Sequence, residues 1–163
     1  MSYKIPREKM FEGILSSKEK ALQFLQDAEL LVQNESVVHS IIPVQYGIEE
    51  FGRASALKEK LDEGSMDEYS VEKRLFKDHT YKEEKAWSHL PSHLKTIYEG
   101  TFTPRVFDTR VFDTGETISS QTRIDATFID WDDKRGEWKI GIRASGDRVL
   151  ELIKGLRAEI LKL

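Results

Sequence analysis

The chain has 163 residues, 39% hydrophobic and 33% charged, with 25 Lys and Arg against 29 Asp and Glu for a net charge of −4, a balance that suits one ordinary domain with its own core. That charge makes no global field for a polyanion, so contact with nucleic acid needs a local basic patch; the absence of cysteine excludes disulfides, thiolate zinc sites and a cysteine nucleophile. The opening Met1-Ser2-Tyr3-Lys4-Ile5-Pro6 lacks a signal-peptide core, and no later stretch reaches the roughly 18 apolar residues of a membrane span, so the expectation is a soluble, cytoplasmic protein without membrane contact.

From Pro6 to Asn34, Met10, Phe11, Ile14, Leu15, Ala21, Leu22, Phe24, Leu25, Ala28, Leu31 and Val32 return to one side every three or four residues, which predicts one long helix, or two in line with a break at Ser16-Ser17. Turn chemistry at Asn34-Glu35-Ser36 follows, with Ser36 available to cap the next helix. Val37 to Leu61 reads as a second helix, apolar on almost every side at its start and therefore central. Pro43 predicts a kink or a late start there, and Gly47 and Gly52 predict close helix packing. Asp62-Glu63-Gly64 ends it. Ser65 with Glu68 then forms a capping-box signature for a third helix running to about Leu90, where Pro91 stops it. Ser92 to Glu99 reads as a short fourth helix ended by Gly100.

Residues 101–121 lose periodicity and contain a tandem five-residue repeat, Arg105-Val-Phe-Asp-Thr and Arg110-Val-Phe-Asp-Thr, read as an exposed loop. Arg123 to Trp131 alternates, Asp132 to Gly136 turns, and Glu137 to Ile142 completes a β-hairpin pattern. Ser145 can cap a last helix from Gly146 to Leu163 with Val149, Leu152, Ile153, Leu156 and Ile160 on one stripe. The fold expected is one mainly α domain over residues 1–163: an antiparallel helical bundle at about 6–100, the loop, then a small C-terminal β-hairpin and a final helix from about 122.

On the third helix the apolar stripe runs from Leu75 and Phe76 to Ala86, Trp87 and Leu90, and His79 with Lys82 or Glu83 interrupts it. Polar groups on a buried stripe need partners, so a polar network or a site in a groove is expected. Glu49 and Glu50 lie on the central helix beside Arg53; at least one is expected to be partly buried and paired, with Arg53 or His79 as partner. Asp27, between Phe24 and Leu31, is a further candidate for that network. No Glu-x-x-His pair, His-Glu-x-x-His, Gly-rich phosphate loop, dinucleotide fingerprint or Gly-x-Ser-x-Gly elbow occurs, so neither a metal nor a cofactor is expected.

Arg74, four residues, His79 is similar to the Arg-x(4-6)-His motif that marks many ribonucleases among HEPN domains, although Leu75 stands where such motifs commonly carry a polar residue. Over a longer stretch, Ala21-Leu22 to Asp27-Ala-Glu-Leu-Leu, then Gly47-Ile-Glu-Glu-Phe-Gly-Arg53, then Asp78-His79-Thr-Tyr-Lys82 occur in order. This series resembles the AbiV family of abortive-infection proteins, with Arg53 in place of a lysine. Phe128-Ile-Asp-Trp-Asp through Gly136-Glu-Trp138 resembles the aromatic hairpin of that family, so the resemblance runs from about residue 18 to the end, the repeat loop excepted.

The resemblance implies a HEPN-like bundle acting as a metal-independent endoribonuclease and phage-defence toxin on RNA. The partners it implies are a second copy of the chain and an antitoxin or phage protein. His79 would move a proton and Arg74 hold the phosphate; Lys82 would add positive charge, and Asp27, Glu49, Glu50, Arg53 and Asp78 would support them. On one ideal helix an i to i+5 pair sits about 140° apart, so Arg74 and His79 meet only if Arg74 reaches round or a second subunit completes the site. The competing expectation is a non-enzymatic dimeric binding module in which Arg74, His79 and Glu50 are a structural polar network.

Overall fold

The computed structural model describes residues 1–101, 103–104, 130–132, 137–139 and 142–163. Helix α1 (Arg7–Gln33) is continuous and buries Met10, Ile14, Ser17, Ala21, Leu25 and Ala28, each three or four residues from the last. Ser17 does not break it; a small side chain there lies inside the packed stripe. Asn34 closes α1 with Glu35 at φ 61, while Ser36 N–H donates to Leu31 O and Glu35 N–H to Val32 O. That is the left-handed helix terminus usually given to glycine.

Ser36 does not cap the next helix: its carbonyl accepts from His39 N–H and its Oγ meets His39 Nδ1 at 3.0 Å. A 3₁₀ turn (Val38–Ser40) intervenes, and α2 begins late (Ile41–Asp62). Pro43 then sits in the first turn, where an N–H would lack an intrahelical partner anyway. α2 is buried on most sides, through Ile41, Val44, Ile48, Phe51, Ala54 and Leu57 among others.

The expected third helix proves to be three elements. Residues Glu68–Glu72 form a strand, β2, antiparallel to an N-terminal strand, β1 (Ser2–Pro6), with Ser2 opposite Glu72 and Ile5 opposite Tyr69. Tyr69 and Val71 point inward and Glu68, Ser70 and Glu72 outward, a period of two that outweighs the capping-box signature at Ser65 and Glu68. The pair covers a second core of Met10, Ile14, Ala54, Ala56, Leu57, Tyr69, Val71 and Leu75. One helical turn follows, α3 (Arg74–Lys77); then Asp78 turns extended, at φ −105 and ψ 112, and α4 (His79–His89) begins. Asp78 caps α4 by accepting the Tyr81 N–H at 3.1 Å. Leu90, before Pro91, is extended and ends it.

Helix α5 (Ser92–Thr101) leads to β3 (Thr103–Pro104), which pairs antiparallel with β6 (Ile142–Arg143) where the chain returns. Strands β4 (Asp130–Asp132) and β5 (Glu137–Lys139) form the expected hairpin; the tandem repeat at 105–114 and the pattern at 123–129 lie outside the described residues. Helix α6 (Gly146–Lys162) buries Val149, Leu152, Ile153, Leu156 and Ile160 as predicted, with Ser145 at its N-cap position but making no capping hydrogen bond. The main core joins α1, α2, α4, α5 and α6, so the chain is a mainly α antiparallel bundle with a small hairpin and a final helix.

Helices α2 and α4 pack backbone against backbone at Gly52. A Cβ on Gly52 would lie 1.9 Å from Lys82 O and 2.8 Å from Ala86 N, both backbone atoms, whereas one on Gly155 would meet a methyl at the end of the Leu94 side chain. Gly52→Ala is therefore expected to cost more than about 2 kcal/mol despite alanine's better helix propensity, and Gly155→Ala distinctly less; equal urea midpoints would contradict this packing. Glu35→Gly is expected to raise stability by about 1 kcal/mol in the same titration, because the left-handed conformation is already adopted there.

Candidate functional site

Glu49 lies one turn before Gly52 on α2, and the contact at Gly52 brings the start of α4 over it. The Glu49 side chain is 3% exposed, with Oε2 3.0 Å from Nζ of Lys82, itself 5% exposed, and 2.6 Å from Nδ1 of His79. A carboxylate so desolvated needs a counter-charge and hydrogen bonds. Lys82 supplies the charge. His79, first residue of α4, leaves 54% of its side chain in solvent. Because a carboxylate oxygen faces Nδ1, the ring proton belongs there, and Nε2 carries the lone pair of the neutral imidazole. Tyr46 flanks the ring at 6.5 Å between centroids, backed by Phe24 at 5.3 Å.

The other expected members divide between this cluster and its surroundings. Glu50 pairs with Arg53, one turn on, at 3.0 Å. Asp78 is exposed and engaged in capping α4. Asp27 is exposed on α1, one turn on from Phe24. Glu83, beside Lys82, is buried and accepts from the Trp87 indole at 3.3 Å. Among the described residues no three His, Asp or Glu side chains converge as a metal site.

Arg74 donates from Nε to Glu72 Oε2 at 2.8 Å, and its guanidinium lies over the Tyr81 ring, Cζ 3.6 Å from the ring centroid, with a hydrogen bond to the Tyr81 side chain as well. Tyr81 first, and Glu72 beside it, push the already high pKa of Arg74 further up. Lys73, Arg74, Lys77, Asp78, His79 and Thr80 line one open pocket. Arg74 and His79 thus border the same depression within one chain, because the Asp78 break removes the 140° separation of a continuous helix. Lys82 pairs with Glu49 and is not among the residues that line this pocket. Lys73, Lys77, Glu72 and Tyr81 escaped the sequence reading; the basic run Lys73-Arg74 with Lys77 was the available signal.

The HEPN family model described as AbiV matches residues 9–139. This chain belongs to the AbiV family. No curated protein and no solved structure matches it. The family places it among the abortive-infection HEPN proteins, and its match starts earlier than residue 18 and ends before α6. That last AbiV-chain helix nonetheless supplies five side chains to the main core. Among the described residues no helix is long and apolar enough to cross a membrane.

The geometry separates a buried ion pair from an exposed imidazole. Lys82→Met, which strands the Glu49 carboxylate, is expected to lose about 3 kcal/mol or more, and His79→Ala less than about 1.5 kcal/mol because Lys82 stays in place. Glu49→Leu combined with Lys82→Met should recover most of the loss. Chemical denaturation of the four proteins checks the order, and a larger loss for His79→Ala than for Lys82→Met would refute it.

Proposed function

We propose that this AbiV-family chain is a metal-independent endoribonuclease that acts as the toxin of an abortive-infection response. The observation that carries the reading is the half-exposed His79, oriented through Nδ1 by a buried carboxylate, in a pocket shared with Arg74. Cleavage of RNA by its own 2′-hydroxyl needs little more. A base takes the O2′ proton, O2′ bonds to phosphorus, the P–O5′ bond breaks, and an acid protonates O5′; a cation stabilises the crowded phosphorane meanwhile. Nε2 of His79 serves as the base, or in its protonated form as the acid, and Arg74 stabilises the phosphorane oxygens. Glu49 acts on the ring rather than on substrate: it holds the tautomer and the orientation of the imidazole. The clustering of Lys73, Arg74 and Lys77 beside His79 is the local basic patch that an acidic chain needs to hold RNA. Family membership adds a homodimer and a controlling antitoxin or phage protein to the proposal, in the cytoplasm.

The second reading, a non-enzymatic dimeric binding module, draws on two contacts: Lys82 on Glu49, which needs no substrate, and Arg74 on Glu72 and Tyr81. An RNA-cleavage assay decides. The parent is expected to cut RNA, with at least about a hundred-fold loss in His79→Ala and in Arg74→Ala, both still folded, and a partial loss in Glu49→Gln. A parent inert on several RNAs would favour the binding module.

A further inference from the structure

The ribonuclease reading leaves open which groups take hold of the scissile strand. Four cations lie near His79, and their existing contacts sort them. Lys82 is committed to Glu49. Lys73 is drawn toward β1, with Nζ 5.0 Å from the Tyr3 ring centroid and 3.8 Å from Met1 Sδ. Lys77 is exposed in the pocket and has no side-chain hydrogen bond or ion pair among the described residues. Arg74 is held at two places: Glu72 takes Nε, and Tyr81 takes one face of the plane.

The Arg74 side chain is nonetheless 55% exposed, and the edge bearing its two terminal amines has no side-chain partner among the described residues other than Tyr81. That edge is the fork that fits two oxygens of a phosphate. The Glu72 bridge joins side chains 55% and 58% exposed, so solvent and salt screen it. Tyr81, which lies under the guanidinium and also hydrogen-bonds it, is the contact that holds it in place. Asp78 also lines the pocket, but its Oδ1 already accepts from the α4 backbone. The depression is open rather than enclosed, which suits one link of a chain passing across the surface.

We propose that the pocket between α3 and the start of α4 is a subsite for one phosphodiester of RNA, bound by Lys77 and by the terminal amines of Arg74, with Tyr81 as the residue that positions Arg74. The proposal rests on the ribonuclease reading for the identity of the anion and adds Lys77 and Tyr81 to its residues. Lys77 contributes a mobile point charge, Arg74 a fixed planar fork, and the strand so held lies beside His79 Nε2.

The test is binding of a labelled single-stranded RNA oligonucleotide to the His79→Ala protein across a salt series, with KM and kcat measured in the parent background. Lys77→Ala is expected to weaken binding several-fold and to lower the slope of log affinity against log salt by about 0.7, one phosphate contact on a single strand. Tyr81→Leu is expected to weaken binding, Tyr81→Phe, which keeps the ring but loses the hydroxyl's hydrogen bond to Arg74, to weaken it less, and the Tyr81→Leu effect to vanish once Arg74 is alanine. Each protein is checked for its melting transition, and the phenylalanine variant keeps the ring and the packing. Unaltered affinity and KM in Lys77→Ala would overturn the subsite, as would a Tyr81→Leu effect of equal size with and without Arg74, or no RNA binding at low salt. If the parent binds RNA with the expected dependence but does not cut it, the subsite stands and the ribonuclease reading falls. If it cuts RNA but ignores Lys77, the subsite alone falls.

Discussion

The approach of α4 to α2 at Gly52 is the constraint on which the site depends. With no side chain between them, the backbone of Lys82 and Ala86 lies directly on α2, and Lys82 Nζ then reaches a carboxylate one turn away without leaving the interior. A bulkier residue at 52 would push α4 outward and open the Glu49 pair to water, where a salt bridge is worth far less in either direction. The same contact sets His79 at the boundary. One turn nearer the N-terminus of α4 than Lys82, it emerges from the contact zone with one nitrogen on Glu49 and the other toward solvent.

A buried lysine and an exposed histidine sharing one carboxylate oxygen have different tasks. Lys82 supplies the counter-charge that a buried carboxylate needs, and the carboxylate so held is the one that meets the His79 ring. Lys82 is therefore bound up with the chemistry proposed for His79 without touching substrate. Positive charge at the pocket has to come from α3 and the residues flanking it, where Lys73, Arg74 and Lys77 occur within five positions. An acidic chain thereby concentrates three cations beside the one histidine that a buried carboxylate orients.

Much of the helical framework was legible because burial leaves a period. The stripe of α6 follows from spacing alone, as do the Gly47 and Gly52 approaches, whereas most of the apolar run 37–42 precedes α2 and His39 in it is exposed. The strand β2 was not. Five residues give a period of two only two inward positions, Tyr69 and Val71, and the partner strand β1 lies more than sixty residues away, so the local capping pattern at Ser65 and Glu68 prevailed in the reading. Losing β2 also hid the break at Asp78, an N-cap read as helix interior. In the site, a carboxylate pairing with His79 was foreseeable from composition on one helix face; the choice of Glu49 over Glu50 was not, because adjacent residues differ by about 100° and only the placement of α4 decides which one it covers.

The strand and the break change what a second subunit has to do. On one continuous helix Arg74 and His79 would point apart, and a partner would be needed to complete the pair. With β2 ending at Glu72, a single turn of α3 and a reset at Asp78, the chain bends between the two residues, and they border one pocket. Glu72, delivered by the β1–β2 ladder, ties the arginine from one side while Tyr81 on α4 supports it from below. A second copy of this chain is then not needed to bring Arg74 and His79 to one pocket, because the bend at Asp78 does so within a single chain.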